Sequence, residues 1–182
     1  MTDARLDIYK RELLRWNEKV NLIGPEARAN LDDHVSEALR AAEILKPQRE
    51  VLDFGSGGGL PGIPMAIVSP NARFHLVEGD KKKWAFLKHV ARECQLNSVV
   101  YGDRLARVLT HFPPDLRFSL VTSRAVGAPE EWLPSLAPWM EADGRAALFQ
   151  GSDVSPEMHH FRKIAGQKLE RGYLVTFHVE QQ

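Results

Sequence analysis

The sequence contains a single cysteine, Cys94, and no long apolar run. One cysteine excludes an internal disulfide and a zinc cluster built from cysteines. No stretch is long and apolar enough to span a bilayer. The first residues are charged throughout (MTDARLDIYKRELL), which is not the pattern of a signal peptide. We therefore expect a cytoplasmic protein with no membrane segment.

A net charge is also absent, because 24 basic residues balance 24 acidic ones. This balance argues against a uniformly basic nucleic-acid binder. One local basic run remains, and it contains a single acidic residue, Glu93. Its members are Lys81, Lys82, Lys83, Lys88 and Arg92. Such a run is ordinarily a solvated helix face, so RNA binding there is the alternative interpretation.

The length of 182 residues predicts one domain, 1–182, with a sizeable core. Two apolar stripes predict helices over 3–22 and 31–45, with Thr2 and Asn30 as their N-caps. Both helices precede any strand. We expect residues 1–47 to form an N-terminal helical cap.

From residue 48 onward, strands alternate with helices. The expected strands are 50–54, 73–78, 98–101, 117–123, 144–150 and 172–179. The expected helices are 61–69, 80–94, 104–110, 130–140 and 155–165. This alternation predicts an α/β fold over 48–182, with a mostly parallel sheet and helices on both faces, as in Rossmann-like proteins.

Residues 51–64 (VLDFGSGGGLPGIP) are typical of a strand that passes through a glycine turn into a helix. A dinucleotide fingerprint requires G-x-G-x-x-G directly after the strand. Counted from Gly55, the last position is Leu60. The pattern does occur at Gly57, Gly59 and Gly62, but too far from the strand. A nicotinamide nucleotide is therefore the weaker alternative.

The pattern acidic-x-G-x-G-x-G fits without adjustment at Asp53, Gly55, Gly57 and Gly59. It is the loop of S-adenosylmethionine-dependent methyltransferases. We expect Asp53 to meet the ammonium group of the cofactor, directly or through water. We expect the glycine N–H groups to meet the rest of its methionine part.

Polar residues at the ends of three other strands converge on the same crevice. Glu78 is expected to accept hydrogen bonds from the ribose hydroxyls, and Asp103 to contact the adenine amine. For both, the alternative is a helix cap. Arg124 is the main candidate for a substrate-facing residue, and its alternative is a salt bridge to Asp103 or Glu78.

Several motifs occur in a fixed order between about residues 6 and 151. They are Trp16-Asn17 with Asn21-Leu22, His34, DFGSGGGLPGIPMAI, LVEGDKKKWAFL, GDRLA and TSRAVG. Together they resemble the glucose-inhibited division protein B family of ribosomal RNA methyltransferases. The segments LPGIP and SRA are the most specific parts of the resemblance.

The resemblance implies a class I S-adenosylmethionine-dependent methyltransferase. Its acceptor would be N7 of the guanosine at position 527, in the 530 loop of bacterial 16S rRNA. N7 carries a lone pair and no proton, so the enzyme's task is mainly positioning. The absence of an N/D-P-P-Y/F motif agrees with this. The alternatives are a small-molecule methyltransferase and a non-catalytic RNA- or ribosome-binding protein.

By matching position, the family's cofactor contacts fall on Gly55, Leu60, Glu78, Leu105, Ala106 and Arg124. Arg124 is also the expected catalytic residue. The resemblance favours the interpretation that the basic run binds RNA. It implies the small ribosomal subunit as partner, and we expect a monomer without a bound metal.

Three departures from the family pattern concern RNA docking rather than the cofactor loop. The family usually has a carboxylate and a serine shortly after His34, where this chain has Val35-Ser36-Glu37-Ala38. It has lysine-glycine where this chain has Gln150-Gly151. The sequence after Gly151 is short, and we expect the last part of the sheet to be trimmed.

Overall fold

A computed structural model describes residues 3–180 of the chain. The helices are α1 (Ala4–Asn17), α2 (Pro25–Ala29), α3 (Leu31–Leu45), α4 (Gly62–Val68), α5 (Lys81–Glu93), α6 (Leu105–Leu109), α7 (Pro129–Trp132) and a 3₁₀ helix (Leu133–Trp139). The strands are β1 (Arg49–Phe54), β2 (Ala72–Val77), β3 (Ser98–Tyr101), β4 (Phe118–Arg124), β5 (Met140–Gln150), β6 (Phe161–Lys168) and β7 (Tyr173–Val179). No helix among these residues has the length and hydropathy that a membrane crossing requires.

The seven strands form one sheet in the order β3-β2-β1-β4-β5-β7-β6. The first five strands run parallel, and β7 is antiparallel to both β5 and β6. The chain therefore leaves β1 first toward β2 and β3 and later returns to β4 on its other side. The position between β1 and β4 is the switch point at which open α/β sheets bind ligands.

Helices cover both faces of the sheet, as the sequence predicted. One core cluster joins α1, α3, α4 and α5 through residues such as Leu13, Leu45 and Phe86. The other joins α6, α7 and the 3₁₀ helix through Val108 and Leu133. The N-terminal helices thus pack beside α4 and α5 on one face of the sheet.

The first helix ends five residues earlier than predicted. Asn17 Oδ1 accepts hydrogen bonds from the backbone N–H groups of Leu22 and Ile23, at 2.9 and 3.0 Å. These bonds turn the chain, and α2 then begins at Pro25. Asp3 caps α1, and the expected cap Thr2 lies outside the described residues.

Asn30 does occupy the N-cap position of α3. Its side chain makes no capping hydrogen bond there. Instead its Nδ2 donates back to the carbonyl oxygen of Glu26, at 2.9 Å.

The helix predicted over 130–140 is a single α-turn followed by a 3₁₀ helix. Pro134 and Pro138 account for the difference, because proline has no N–H to donate to an α-helical hydrogen bond.

The helix predicted over 155–165 is wrong, and so is the expected trimming of the sheet. Residues 161–168 form the edge strand β6, which pairs with β7 along its length. Nearly all side chains of β6 are exposed, so the segment lacks the apolar stripe that would hold a helix on the core. Backbone pairing with β7, a contact not visible in the local pattern, decides its structure.

Candidate functional site

A cavity of about 690 Å³ opens at the carboxyl ends of β1, β2, β4 and β5. One wall is the glycine loop, Gly55 to Leu60. A second part of the lining, which we call the charged wall, consists of Glu26, His34, Glu37 and Arg171. Residues 124–126 and Phe149 also line the cavity. The volume falls within the roughly 300–1,000 Å³ of small-molecule sites.

The glycine loop owes its shape to three residues with left-handed backbone conformations. Gly55, Gly57 and Gly59 have φ of 70°, 53° and 91°. The backbone N–H groups of Gly55 and Ser56 both donate to the carbonyl oxygen of Val77, at 3.0 and 3.1 Å. These bonds tie the loop to the end of β2, so the two N–H groups are not free for a ligand as the sequence had suggested.

Glu78 holds the loop at its centre. One carboxylate oxygen accepts from the backbone N–H of Gly57 and the other from that of Asp80, both at 2.8 Å. The cap of α5 is Asp80, so the helix-cap alternative for Glu78 is wrong. Glu78 lines the cavity, and each oxygen keeps a lone pair for a ligand hydroxyl. Its contact with ribose stays a prediction.

Asp53 lies beneath the loop instead of in the cavity, which corrects the expected contact with the cofactor ammonium. Its side chain is 0% exposed, and one oxygen accepts from the hydroxyl of Thr122 at 2.8 Å. In the described part of the chain, the other oxygen has no hydrogen-bond partner, and it faces Gly62, where a Cβ would come within 2.6 Å of it. Burial raises the pKa of this carboxyl to about 6. Asp53 therefore supports the loop from behind.

Arg124 extends from the end of β4 into the cavity wall. Its Nη1 donates to Glu37 at 3.0 Å and to Nδ1 of His34 at 2.6 Å, and its guanidinium carbon lies 4.3 Å from the ring centroid of Phe149. The predicted alternatives, salt bridges to Asp103 or Glu78, are wrong. Burial lowers the pKa of the guanidinium, and the charge of Glu37 opposes that shift.

Two donors of Arg124, Nε and Nη2, are buried and have no hydrogen-bond partner among residues 3–180, and the same holds for Nε2 of His34. A guanidinium only donates, so Nδ1 of His34 must accept and Nε2 must carry the ring hydrogen. Nε2 of His34 lies 3.7 Å from a carboxylate oxygen of Glu26, so Nε and Nη2 of the cavity-lining Arg124 are the donors left for oxygen atoms of a ligand.

The predicted cofactor residues divide into two groups. Those that line the cavity are Gly55, Gly57, Leu60, Glu78 and Arg124. Those that do not are Asp53, Gly59, Asp103, Leu105 and Ala106. Asp103 lies beside the start of α6, where its carboxylate accepts from the backbone N–H of Arg104 at 2.7 Å. The adenine contacts proposed for this region stay predictions.

The members of the basic run have different surroundings, and their contact with RNA stays a prediction. Lys83 lines the cavity, whereas the Nζ of Lys81 donates to the carbonyl oxygen of Gly102. Lys88 lies over the ring of Trp84, at 4.7 Å from its centroid. Arg92 pairs with Glu93 in the last turn of α5, about 15 Å along the helix from Lys82.

Several residues that shape the site could not be predicted from local sequence patterns. The Tyr9 hydroxyl donates to the carbonyl oxygen of Gly58 at 2.9 Å, although the pattern identified Tyr9 only as part of an apolar stripe. Glu37 and Arg171 join the charged wall from distant parts of the sequence. The one signal in the sequence was the carboxylate of Glu37, three residues after His34.

Comparison with solved structures identifies the fold. A mutant of MtNAS in complex with S-adenosylmethionine superposes with a TM-score of 0.67, at 14% identity, over 97% of this chain and 75% of that one. A SAM-dependent methyltransferase from Aquifex aeolicus gives 0.62, at 13% identity, over 86% and 98%. The strand order and these likenesses define a Rossmann-like fold of the class I methyltransferase type, as predicted.

Comparison of sequences identifies the family. The family model for rRNA small subunit methyltransferase G matches residues 2–181. The ribosomal RNA small subunit methyltransferase G of Magnetococcus marinus is 33% identical over 98% of this chain and 82% of its own length. That of Helicobacter bizzozeronii is 31% identical over 85% and 86%. The chain therefore belongs to the rRNA small subunit methyltransferase G family, which confirms the resemblance inferred from its motifs.

Proposed function

We propose that this protein transfers a methyl group from S-adenosylmethionine to N7 of the guanosine at position 527 in bacterial 16S rRNA. Membership of the family supports the reaction and the RNA substrate. The observation that supports this cofactor is a cavity lined both by the glycine loop and by Arg124, whose Nε and Nη2 have no partner among residues 3–180.

The arrangement suits the polar groups of S-adenosylmethionine. The carboxylate of its methionine part can accept two parallel hydrogen bonds from Nε and Nη2 of Arg124. Glu78 can accept from the ribose hydroxyls, next to the Gly57 backbone that it already holds. Arg124 and Glu78 line the same cavity, so one extended ligand can reach both.

The chemistry of N7 methylation favours the carboxylate over the base as the partner of Arg124. An arginine that binds guanine in the usual bidentate way occupies O6 and N7 together. N7 must instead present its lone pair to the methyl group. Such a pairing would block the reaction, so we assign the fork of Arg124 to the cofactor. No general base is needed, because N7 has no proton to lose.

We place RNA contacts first at Lys83, which lines the cavity, and at the exposed Lys82 beside it. Lysines there would meet phosphates, which position RNA without reading its sequence. Lys81, Lys88 and Arg92 already have intramolecular partners and are secondary candidates. The small ribosomal subunit is the proposed partner, and a monomer in the cytoplasm is the proposed state.

The test is methyl transfer from labelled S-adenosylmethionine to small subunits purified from cells that lack this protein. We expect 7-methylguanosine at position 527 and nowhere else. Label in another nucleotide would contradict the acceptor. Cofactor binding without any label in RNA would favour a non-catalytic RNA- or ribosome-binding protein. Label only in small molecules would favour a small-molecule methyltransferase.

A Gly57→Leu variant provides the cofactor-negative control for this assay. Gly57 lines the cavity at φ 53°, so a large side chain there both strains the loop and fills the site. Gly55 is a poorer choice, because a Cβ at Gly55 would lie 2.3 Å from Val126 Cγ2. Its replacement would disturb packing as well as binding.

A further inference from the structure

Arg124 makes its two protein hydrogen bonds with the same nitrogen. Nη1 contacts Glu37 and His34, while the ring of Phe149 covers one face of the guanidinium. The remaining edge consists of Nε and Nη2, whose N–H bonds run parallel. This edge matches a carboxylate, and both of its nitrogens are buried and without a partner in the part of the chain that the structure describes. Something must keep Arg124 turned with this edge free.

Glu37 is the residue able to do so. It is 5% exposed, on α3. One oxygen accepts from Nη1 of Arg124, and the other accepts from the backbone N–H of Arg171 at 2.6 Å. His34 also accepts from Nη1, but an imidazole carries no negative charge. Glu37 is therefore the one anion bonded to Arg124 within residues 3–180.

Arg171 fixes Glu37 in turn. It lies in the turn between β6 and β7, and its guanidinium pairs with Glu26 and with Asp33. Three segments that are far apart in sequence thus meet at one carboxylate: α3, the end of β4 and the β6–β7 turn. A side chain held from two directions has little freedom to rotate, and it transmits that restriction to the guanidinium.

We propose that Glu37 is a positioning residue, which holds Nη1 of Arg124 so that the Nε–Nη2 edge stays free for the carboxylate of the bound cofactor. This inference rests on the proposed function, because it takes S-adenosylmethionine as the ligand. It adds to that function a residue that need not touch the cofactor and still sets the affinity for one part of it.

The test compares two ligands that differ in the part in question. S-adenosylhomocysteine carries the amino-acid carboxylate, whereas 5′-methylthioadenosine lacks the amino-acid part. Binding of each is measured by calorimetry to wild type, Glu37→Gln and Arg124→Ala. Glu37→Gln keeps an oxygen for the Arg171 N–H but removes the charge facing Nη1. Glu43→Gln is the matched control, because Glu43 lies on the same helix, is exposed and pairs with Arg40 at 3.0 Å.

We expect Glu37→Gln to weaken the binding of S-adenosylhomocysteine at least about tenfold. The affinity for 5′-methylthioadenosine should change less than about twofold. The double variant Glu37→Gln with Arg124→Ala should lose no more affinity for S-adenosylhomocysteine than Arg124→Ala alone, because Glu37 acts through Arg124. The Glu43→Gln control should bind both ligands as wild type does. Glu37→Asp, which keeps the charge but shortens the side chain, should give an intermediate loss for S-adenosylhomocysteine alone.

Equal weakening of both ligands by Glu37→Gln and Glu37→Asp would overturn the positioning role and indicate general damage to the fold. Full additivity with Arg124→Ala, or no effect at all, would overturn it too. Wild-type protein that binds neither ligand would instead overturn the proposed cofactor, so failure of the function and failure of this inference remain distinct.

Discussion

The two walls of the cavity are built from different interactions. The glycine loop is held by backbone hydrogen bonds and by buried groups beneath it, and its partner Glu78 lies only 21 residues away. The charged wall is held by carboxylates and arginine, and its ion pair between Glu26 and Arg171 spans 145 residues. Local backbone geometry thus shapes one wall, and long-range ion pairing shapes the other.

This difference separates two tasks. Glycines tolerate the left-handed backbone of the loop and have no Cβ, so a ligand can approach the backbone closely. Charged side chains can be rearranged by mutation or by salt, and they decide which ligand groups are accepted. We therefore expect changes in the glycine loop to affect stability strongly, and changes at the rim of the charged wall to affect it little.

The largest expected effect on the free energy of unfolding is that of a substitution at Gly59. With φ at 91°, a side chain is strained there, and a Cβ would lie 2.6 Å from Ile63 Cγ1 and 3.2 Å from the ring of Tyr9. We expect Gly59→Ala to lower the free energy of unfolding by about 3 kcal/mol, measured by urea denaturation.

Gly57→Ala is the control for Gly59→Ala. Gly57 also has a positive φ, but the nearest atom to an added Cβ is 3.7 Å away. We expect a loss of about 1 kcal/mol, which is the cost of the left-handed conformation alone. Equal losses at the two positions would show that crowding does not constrain the loop.

The second effect concerns the buried Asp53 beneath the loop. Its folded-state pKa of about 6 lies above the ordinary value of 3.8, so the folded protein binds the proton more tightly than the unfolded chain. Stability from this group is complete below pH 4 and is lost as the pH rises through 6. We expect Asp53→Asn to be more stable than wild type at pH 8, by up to about 3 kcal/mol.

The measurement is the difference in unfolding free energy between Asp53→Asn and wild type from pH 4 to pH 8. Using the difference removes the contribution of His75, whose pKa is lowered by burial and which costs stability as the pH falls below 6.5. Both proteins contain His75. A difference that does not grow with pH would contradict the raised pKa of Asp53.

The same contrast explains what the sequence could predict. The glycine loop, Glu78 and the end of β4 follow from patterns a few residues long, because a strand, a turn and a helix start are local structures. Asp53 was correctly placed at the end of β1, but the direction of its side chain depends on Thr122 in a neighbouring strand. Local sequence could not supply that contact.

The charged wall could not be derived in the same way. Glu37 and Arg171 are ordinary polar residues in their local contexts, and their roles arise only when α3 meets the β6–β7 turn. That turn was itself missed, because residues 161–168 show no apolar alternation and gain their strand structure by pairing with β7. The wrong prediction for β6 and the failure to predict Glu37 and Arg171 therefore have one origin, which is contacts between segments far apart in sequence.

The third prediction tests the link from α1 to the glycine loop. Tyr9 is fully buried, and burial raises the pKa of its hydroxyl well above the ordinary value, so it stays a donor to Gly58. Tyr9→Phe leaves the Gly58 carbonyl oxygen without this partner. We expect a loss of about 2 kcal/mol in the free energy of unfolding.

Tyr173→Phe provides the comparison for Tyr9→Phe. Tyr173 is half-buried in the cavity lining, and within residues 3–180 its hydroxyl makes no hydrogen bond. We expect a change of less than about 0.5 kcal/mol. If Tyr9→Phe were equally mild, the hydrogen bond to the loop would not contribute measurably to stability.

The smallest effect should come from the rim of the charged wall. The guanidinium of Arg171 is partly exposed and pairs with Glu26 and Asp33, and exposed ion pairs contribute about 0–1 kcal/mol. Arg171→Gln removes both pairs and keeps the backbone N–H that Glu37 accepts. We expect a loss below about 1 kcal/mol in dilute buffer that disappears in about 1 M salt, where the screening length is about 3 Å.

Gly59→Ala should lose the same free energy at both salt concentrations, because its cost is steric. A loss for Arg171→Gln that is large and independent of salt would mean that both walls are held by packing.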